Sequence, residues 1–232
     1  MVADEQIAPT YRDARLRMLD IVAGLGPGDA ERTVQACPAW TVHDLLAHVT
    51  GIAADLSSGN RPTGGDTQAW VDRQIAERRE RSMAELATEW NVAGPAFETM
   101  IAAMPSRLWG LAYDTVVHEH DLRTAVGQAG ERASAGVQVA ALLGLRLVEG
   151  DLRTAGLGAV RVVVDGVAHD VGELLPDAAP EFELRVSAFE ALRLLGSRRT
   201  LAEWGAADFS GDLSRYLPGL VHMDLPVVSL GE

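Results

Sequence analysis

The sequence predicts an α+β protein: an antiparallel four-helix bundle over residues 1–130, followed by a small α/β domain over residues 131–232. Three observations carry this reading. The first 127 residues show helical period and almost no strand signal. After Gly130 the pattern changes, and β-rich segments alternate with helical ones. Between two of those β-rich arms stands an Asp165-Gly166 pair, a strong signal for a two-residue hairpin turn.

The first helix spans "YRDARLRMLDIVAGLG" (11–26), with Leu16, Met18, Leu19, Val22 and Ala23 as its apolar side. Gly24 and Gly26 end it. The second begins within "CPAWTVHDLLAHVTGIAADL" (37–56). Thr41 is its N-cap, Asp44 completes a capping box, and Trp40 and Leu45 occupy the positions of a hydrophobic staple. Val42, Leu45, Val49, Ile52 and Leu56 form one apolar stripe. Residues 57–68 are a loop by composition. The segment 71–85 is charged on nearly every face and reads as a solvated helical surface. A third long helix covers 85–104, with Pro95 as a kink position. The fourth covers 106–127, with Ser106 as cap, Arg123 in the last turn and Gly127 as stop. Beyond Gly130, 136–152 is an apolar helix, 160–171 a hairpin, and 182–186 a strand with Phe182, Leu184 and Val186 on one side. A helix over 187–205 follows, and "MDLPVVSL" (223–230) supplies a last short strand. There is no internal repeat and no low-complexity tract.

Bulk properties exclude several function classes. With 33 acidic against 20 basic residues the net charge is −13, which repels phosphate backbones and anionic membrane. Nucleic acid and lipid are therefore not expected partners. There is no run of about 18 apolar residues and no apolar signal core near the start, so a cytoplasmic location is expected. The single cysteine, Cys37, allows neither an internal disulfide nor a thiolate metal cluster. Oligomeric state leaves no readable trace.

Polar chemistry concentrates in "YDTVVHEHDL" (113–122). A zinc-protease H-E-x-x-H motif would need histidine where Leu122 stands, so that reading fails. There is no G-x-S-x-G and no P-loop lysine, and no carboxylate pair for glycoside chemistry can be picked out. Asp114 and His118 are four apart and share a helix face, flanking the side formed by Leu111, Thr115, Leu122 and Val126. His48 sits at the edge of the second helix's stripe, beside Leu45 and Ile52. If the two helices pack side by side, His48, Asp114 and His118 converge in the groove between them. One carboxylate and two imidazoles are a common ligand set for a catalytic divalent metal, with a position left open. The alternative is a set of histidines that are simply hydrogen-bonded at the rim of a buried face. Asp121 is placed to orient His118. Glu119 falls in the apolar stripe, so it is either a buried partner in the site or a sign that the helix is covered on several sides. His120, His43, His169 and His222 read as non-functional, the first two as surface residues.

"CPAWTVHDLLAHVTGI" (37–52) followed by "LAYDTVVHEHDLRTAVG" (111–127) resembles the mycothiol-dependent maleylpyruvate isomerase-like family of actinobacteria. "FELRVSAFEALRLLGSRRT" (182–200) resembles the smaller domain that follows its DinB-like bundle. The resemblance implies a divalent metal, usually zinc, held by His48, Asp114 and His118. It also implies an arginine of the C-terminal domain as a catalytic group that holds a substrate carboxylate, with Arg198 and Arg199 as candidates. The bland alternative for "SRR" is a solvated helix-end cap. The family pattern has glutamate where this chain has Asp114, one methylene shorter. That difference could pull the metal, interpose water or abolish binding.

The chemistry implied is a metal-dependent isomerase or thiol S-transferase. A thiol at the metal's open position loses its proton easily. Cys37 is not an obvious ligand, so the thiol is expected to be mycothiol, adding to a small electrophilic alkene. Two rivals stand beside this reading: a non-catalytic ligand-binding DinB-like protein, and a metal-dependent hydrolase using metal-bound water.

Overall fold

The computed structural model describes residues 2–62, 67–173 and 179–232. It divides into two compact units, residues 3–130, and residues 131–232 together with Val2. Part of the loop expected over 57–68 lies outside the described residues.

In the first unit, helices α1 (Ile7–Ala23), α2 (Val42–Ser57), α4 (Met83–Ala103) and α5 (Pro105–Val126) are the four long rods, and α3 (Thr67–Arg78) is a shorter fifth. Local chemistry sets their ends. Thr41 accepts the Asp44 amide and Asp44 returns the bond to the Thr41 amide at 2.9 Å, so the capping box at the head of α2 is closed on both sides. Ser82 and Glu85 do the same for α4. Helix α5 departs from expectation at its start: Pro105, not a capped Ser106, opens it, with Met104 before it and no side-chain cap. Proline suits the first helical position because its missing N–H has no intrahelical partner there. Gly127, at φ 70°, closes α5 in the left-handed conformation.

Helix α1 packs on α4 and α5, while α2 packs on α3, α4 and α5. The core holds Tyr11, Met18, Leu45, Leu86, Trp90, Phe97 and Val116. Trp90 donates from Nε1 to the Tyr11 hydroxyl at 2.9 Å, and Tyr11 meets Phe97 edge to face at 5.0 Å. The buried side of α1 is Tyr11, Ala14, Arg15, Met18 and Val22; Leu16 is exposed. The apolar side read from the sequence was therefore rotated, because Arg15 is buried and neutralised by Glu98 at 2.7 Å. The segment 71–85 is not one solvated surface either. Trp70, Gln74 and Arg78 bury one side of α3, and Arg78 pairs with Glu89 of α4 at 2.8 Å.

In the second unit, β1 (Val160–Val164), β2 (Val167–Val171), β3 (Phe182–Val186) and β4 (Asp208–Ser210) form one sheet in the order β2-β1-β3-β4. Strands β1 and β3 are parallel and the outer pairs antiparallel. Asp165 and Gly166 form the β1–β2 turn at φ 47° and 83°, the double left-handed geometry that this dipeptide favours. Helix α6 (Ala135–Ala155) packs on α7 (Ala188–Leu195) and α9 (Leu213–Leu220).

Two expectations are corrected here. The helix expected over 187–205 is two, α7 and α8 (Leu201–Ala206), parted by a turn in which Ser197 takes φ 59°. The last strand is β4, not 223–230, which has no regular structure and exposes Val227 and Val228. Apolar β-branched residues beside Pro226 resemble a strand, but they find no partner edge.

Candidate metal centre

Helix α2 carries His48 in its second turn, and α5 carries Asp114 and His118 one turn apart. The packing of α2 on α5 brings the three together. His48 Nε2 lies 3.7 Å from Asp114 Oδ2, and His118 Nε2 lies 3.4 Å from Asp114 Oδ1. One donor atom from each falls within 4.8 Å of the others. The two imidazoles are buried and meet edge to face at 5.3 Å, while the Asp114 side chain keeps 34% of its surface open. The cluster is therefore closed on the histidine side and open at the carboxylate.

On the far side of His118, Nδ1 faces Asp121 Oδ2 at 3.0 Å. A carboxylate there fixes the ring and makes its other nitrogen a better ligand. Electrostatics favour a cation at this point. Burial opposes charge on His118, but Asp114 and Asp121 outweigh it and push the imidazole up to about 9. Burial opposes the Asp114 charge too, yet His118 and His48 together hold its carboxyl well below the usual range.

The residues fit a divalent metal. Two imidazoles and a carboxylate are the appropriate donor set. Asp114 Oδ2, facing His48 Nε2, is a buried acceptor without a hydrogen-bond donor among the described residues. Such an atom is costly unless something positive meets it.

Neighbours that sequence reasoning missed crowd this centre. The Trp40 ring lies 5.0 Å from that of His48 and 5.8 Å from that of His118. It roofs the imidazoles, a role the staple assignment did not foresee. Cys37 groups with His118 and Asp121, ligand atoms within 4.8 Å of one another. Both come from the segment before α2, which folds back through the Thr33–Thr41 bridge and the Val34 N–H to Trp40 carbonyl bond of 2.9 Å. The compact "CPAW" before a capped helix was the available signal.

His120 is corrected: it is buried, not a surface residue. Every residue from Thr115 to Leu122 is buried, because α5 packs on α1, α2 and α4. The same enclosure explains Glu119. It stands outside the His48–Asp114–His118 cluster, holding Arg17 at 2.8 and 2.7 Å and Arg123 at 3.0 Å. His43 is half-buried, with Nε2 on the Arg81 carbonyl at 2.7 Å.

Arg198 and Arg199 lie in the second unit and are both buried, so they are no solvated cap. Arg198 donates to the Gly196 carbonyl at 2.7 Å. Arg199 holds Glu190 at 2.6 and 3.1 Å and Glu232 at 2.8 Å.

A helical bundle with a His-Asp-His cluster between two rods, followed by a small mixed sheet, defines an α+β bundle protein with a candidate metal site. Residues 11–126 match the family described as the mycothiol maleylpyruvate isomerase N-terminal domain, and the chain belongs to that family. Its fold is also similar to the crystal structure of a histidine-to-alanine mutant of the mycothiol-dependent maleylpyruvate isomerase. That likeness has a TM-score of 0.61 at 11% identity and covers 84% of this chain and 90% of the other. No curated protein matches by sequence. None of the helices among the described residues is long and apolar enough to cross a membrane.

Proposed function

We propose that this protein is a metal-dependent, mycothiol-using isomerase or thiol S-transferase acting on a small electrophile in the cytoplasm. The convergence of His48, Asp114 and His118, in a chain of the maleylpyruvate isomerase family, carries the reading. These three side chains would hold a divalent ion, zinc first among candidates. When bound, the ion supplies a Lewis acid that lowers the pKa of a thiol presented to it.

The chain's own residues do the rest. Asp121 holds the His118 ring so that Nε2 faces the cluster. Trp40 packs against both imidazoles, its ring 5.0 Å from that of His48 and 5.8 Å from that of His118. Asp114, at the open rim, leaves an approach for thiol and substrate. Arg198 and Arg199 remain the candidates for a substrate carboxylate, which guanidinium groups bind in bidentate fashion.

A second reading, a non-catalytic ligand-binding protein, is favoured by the short Asp114 side chain and by the carboxylates already on Arg199. Elemental analysis of the purified protein and turnover with mycothiol separate the readings. The proposed function expects about one divalent metal per chain, with thiol-dependent turnover lost on chelation and in His118→Ala. Metal without thiol-dependent turnover but with ester hydrolysis would point to a hydrolase. Turnover unchanged by chelation would refute the metal reading, and a metal-free, inactive protein would favour the binding module.

A further inference from the structure

Cys37 is the chain's single thiol, and the fold carries it to α5. Its N–H donates to the Val34 carbonyl at 2.9 Å, its carbonyl accepts from the Trp40 N–H at 2.8 Å, and the Thr33–Thr41 bridge closes the base of the excursion. It arrives beside a ready-made pair. His118 and Asp121 are three apart on α5, with Nδ1 facing Oδ2 at 3.0 Å, and both side chains are buried. One ligand atom each from Cys37, His118 and Asp121 falls within 4.8 Å of the others. Tetrahedral ligands at about 2.0–2.3 Å from one ion stand roughly 3.3–3.8 Å apart, so the set is near closure. Cys37, half-buried, is its most exposed member.

The donors differ in kind from those of the first cluster. His48, Asp114 and His118 offer nitrogen and oxygen alone, while Cys37 adds sulfur, which selects thiophilic ions. The two sets diverge at His118. Asp114 lies on the Nε2 side at 3.4 Å and Asp121 on the Nδ1 side. Among the described residues, Cys37 groups with Asp121 and not with Asp114 or His48. A neutral imidazole has one nitrogen lone pair to offer a metal. His118 therefore serves one set at a time.

We propose that Cys37, His118 and Asp121 form a second metal seat, for a thiophilic divalent ion, and that filling it withdraws His118 from the His48–Asp114–His118 cluster. Cys37 binds as thiolate, its proton passing to the buffer. His118 Nδ1 and the Asp121 carboxylate, which now face each other, both turn to the ion. The seat rests on its own three donors; only the withdrawal of His118 rests on the function proposed above.

The test uses the full chain, stripped of metal by chelator and kept reduced, with cadmium as probe. Cadmium should raise a sulfur-to-metal charge-transfer band in the ultraviolet, and one ion per chain should survive gel filtration. Cys37→Ser should lose the band and bind cadmium at least about 10-fold more weakly by chelator competition, since even a supporting partner is worth that much to a metal site. His48→Ala, outside the seat, should keep both band and affinity, so the seat is read even in a chain whose first cluster holds no ion. His118→Ala should lose affinity as Cys37→Ser does. A wild-type chain without the band at saturating cadmium would overturn the proposal. So would an unchanged affinity in folded His118→Ala, which would leave Cys37 an isolated ligand. Should that variant unfold, the imidazole resonances of the wild type decide: cadmium must shift His118 Nδ1, and a shift at Nε2 alone overturns the seat. Two cadmium ions held at once by one chain would overturn the withdrawal of His118.

Discussion

Asp121 faces His118 Nδ1 at 3.0 Å, and its side chain is fully buried. Replacing it with asparagine keeps the shape and removes the charge that holds Nδ1. Loss of such a partner typically weakens metal binding 10–100-fold. Asp121→Asn is therefore expected to bind zinc about 10–100-fold more weakly by chelator competition, with helical content unchanged. Undiminished affinity would mean that Asp121 only fills space. At this scale the sequence was legible where helix geometry alone fixes neighbours. The Asp114–His118 spacing of one turn and the place of His48 at a stripe edge both led to a cluster the structure contains. Trp40 and Cys37 were not legible in the same way. They reach His118 through an irregular segment whose course depends on the Thr33–Thr41 bridge, which no periodicity encodes. Glu119 and His120 were misjudged or left open because a helical wheel assumes one solvent face, and α5 has none between Thr115 and Leu122.

Elements show the complementary pattern: their ends were readable where a side chain caps them. Thr41 and Asp44 at α2, Asp165-Gly166 at the hairpin and Gly127 after α5 all act through nearest-neighbour chemistry. The division of 187–205 into α7 and α8 was not readable, because burial of Arg193, Arg198 and Arg199 overrides helical continuity. Yet the sequence holds a signal there too. Thr200 and Glu203 form a complete capping box for α8, with the Glu203 carboxylate on the Thr200 amide at 2.8 Å. Burial opposes charge on Glu203, but Ser229 and Thr200 outweigh it and hold the carboxyl below its usual range. A lowered folded-state pKa stabilises the fold above the unfolded value near 4.5 and ceases to do so as pH falls through the folded value. Glu203→Gln should therefore lower Tm at neutral pH and flatten its decline in acid, as thermal melts across pH 3–7 would record. A parallel acid decline in the two proteins would deny the cap its electrostatic part. The α2–α3 contact gives a second prediction. A Cβ at Gly51 would stand 2.7 Å from the Gln74 Cβ. Gly51→Ala is expected to cost about 1–3 kcal/mol by overpacking, read from denaturant melts, despite alanine's better helix propensity.

For the whole molecule, the consequence that matters is that His48 is remote in sequence from Asp114 and His118 and meets them only in the folded bundle. An ion held by His48 of α2 and by Asp114 and His118 of α5 binds the native state and has no comparable site in the unfolded chain. It should therefore stabilise by mass action, by about 2.7 kcal/mol at a free concentration a hundredfold above Kd. Titrating zinc into chelator-stripped protein should raise Tm with every decade of concentration, and chelator should reverse the rise. His48→Ala should show no such dependence. The net charge of −13 adds a long-range term, since a negative field raises the local concentration of divalent cations and is screened by salt. Association of zinc should accordingly slow as ionic strength rises from low to physiological, whereas dissociation, set by the ligand contacts, should hardly change. A dissociation rate that climbs steeply with salt would instead place the ion on the acidic surface, away from the two imidazoles.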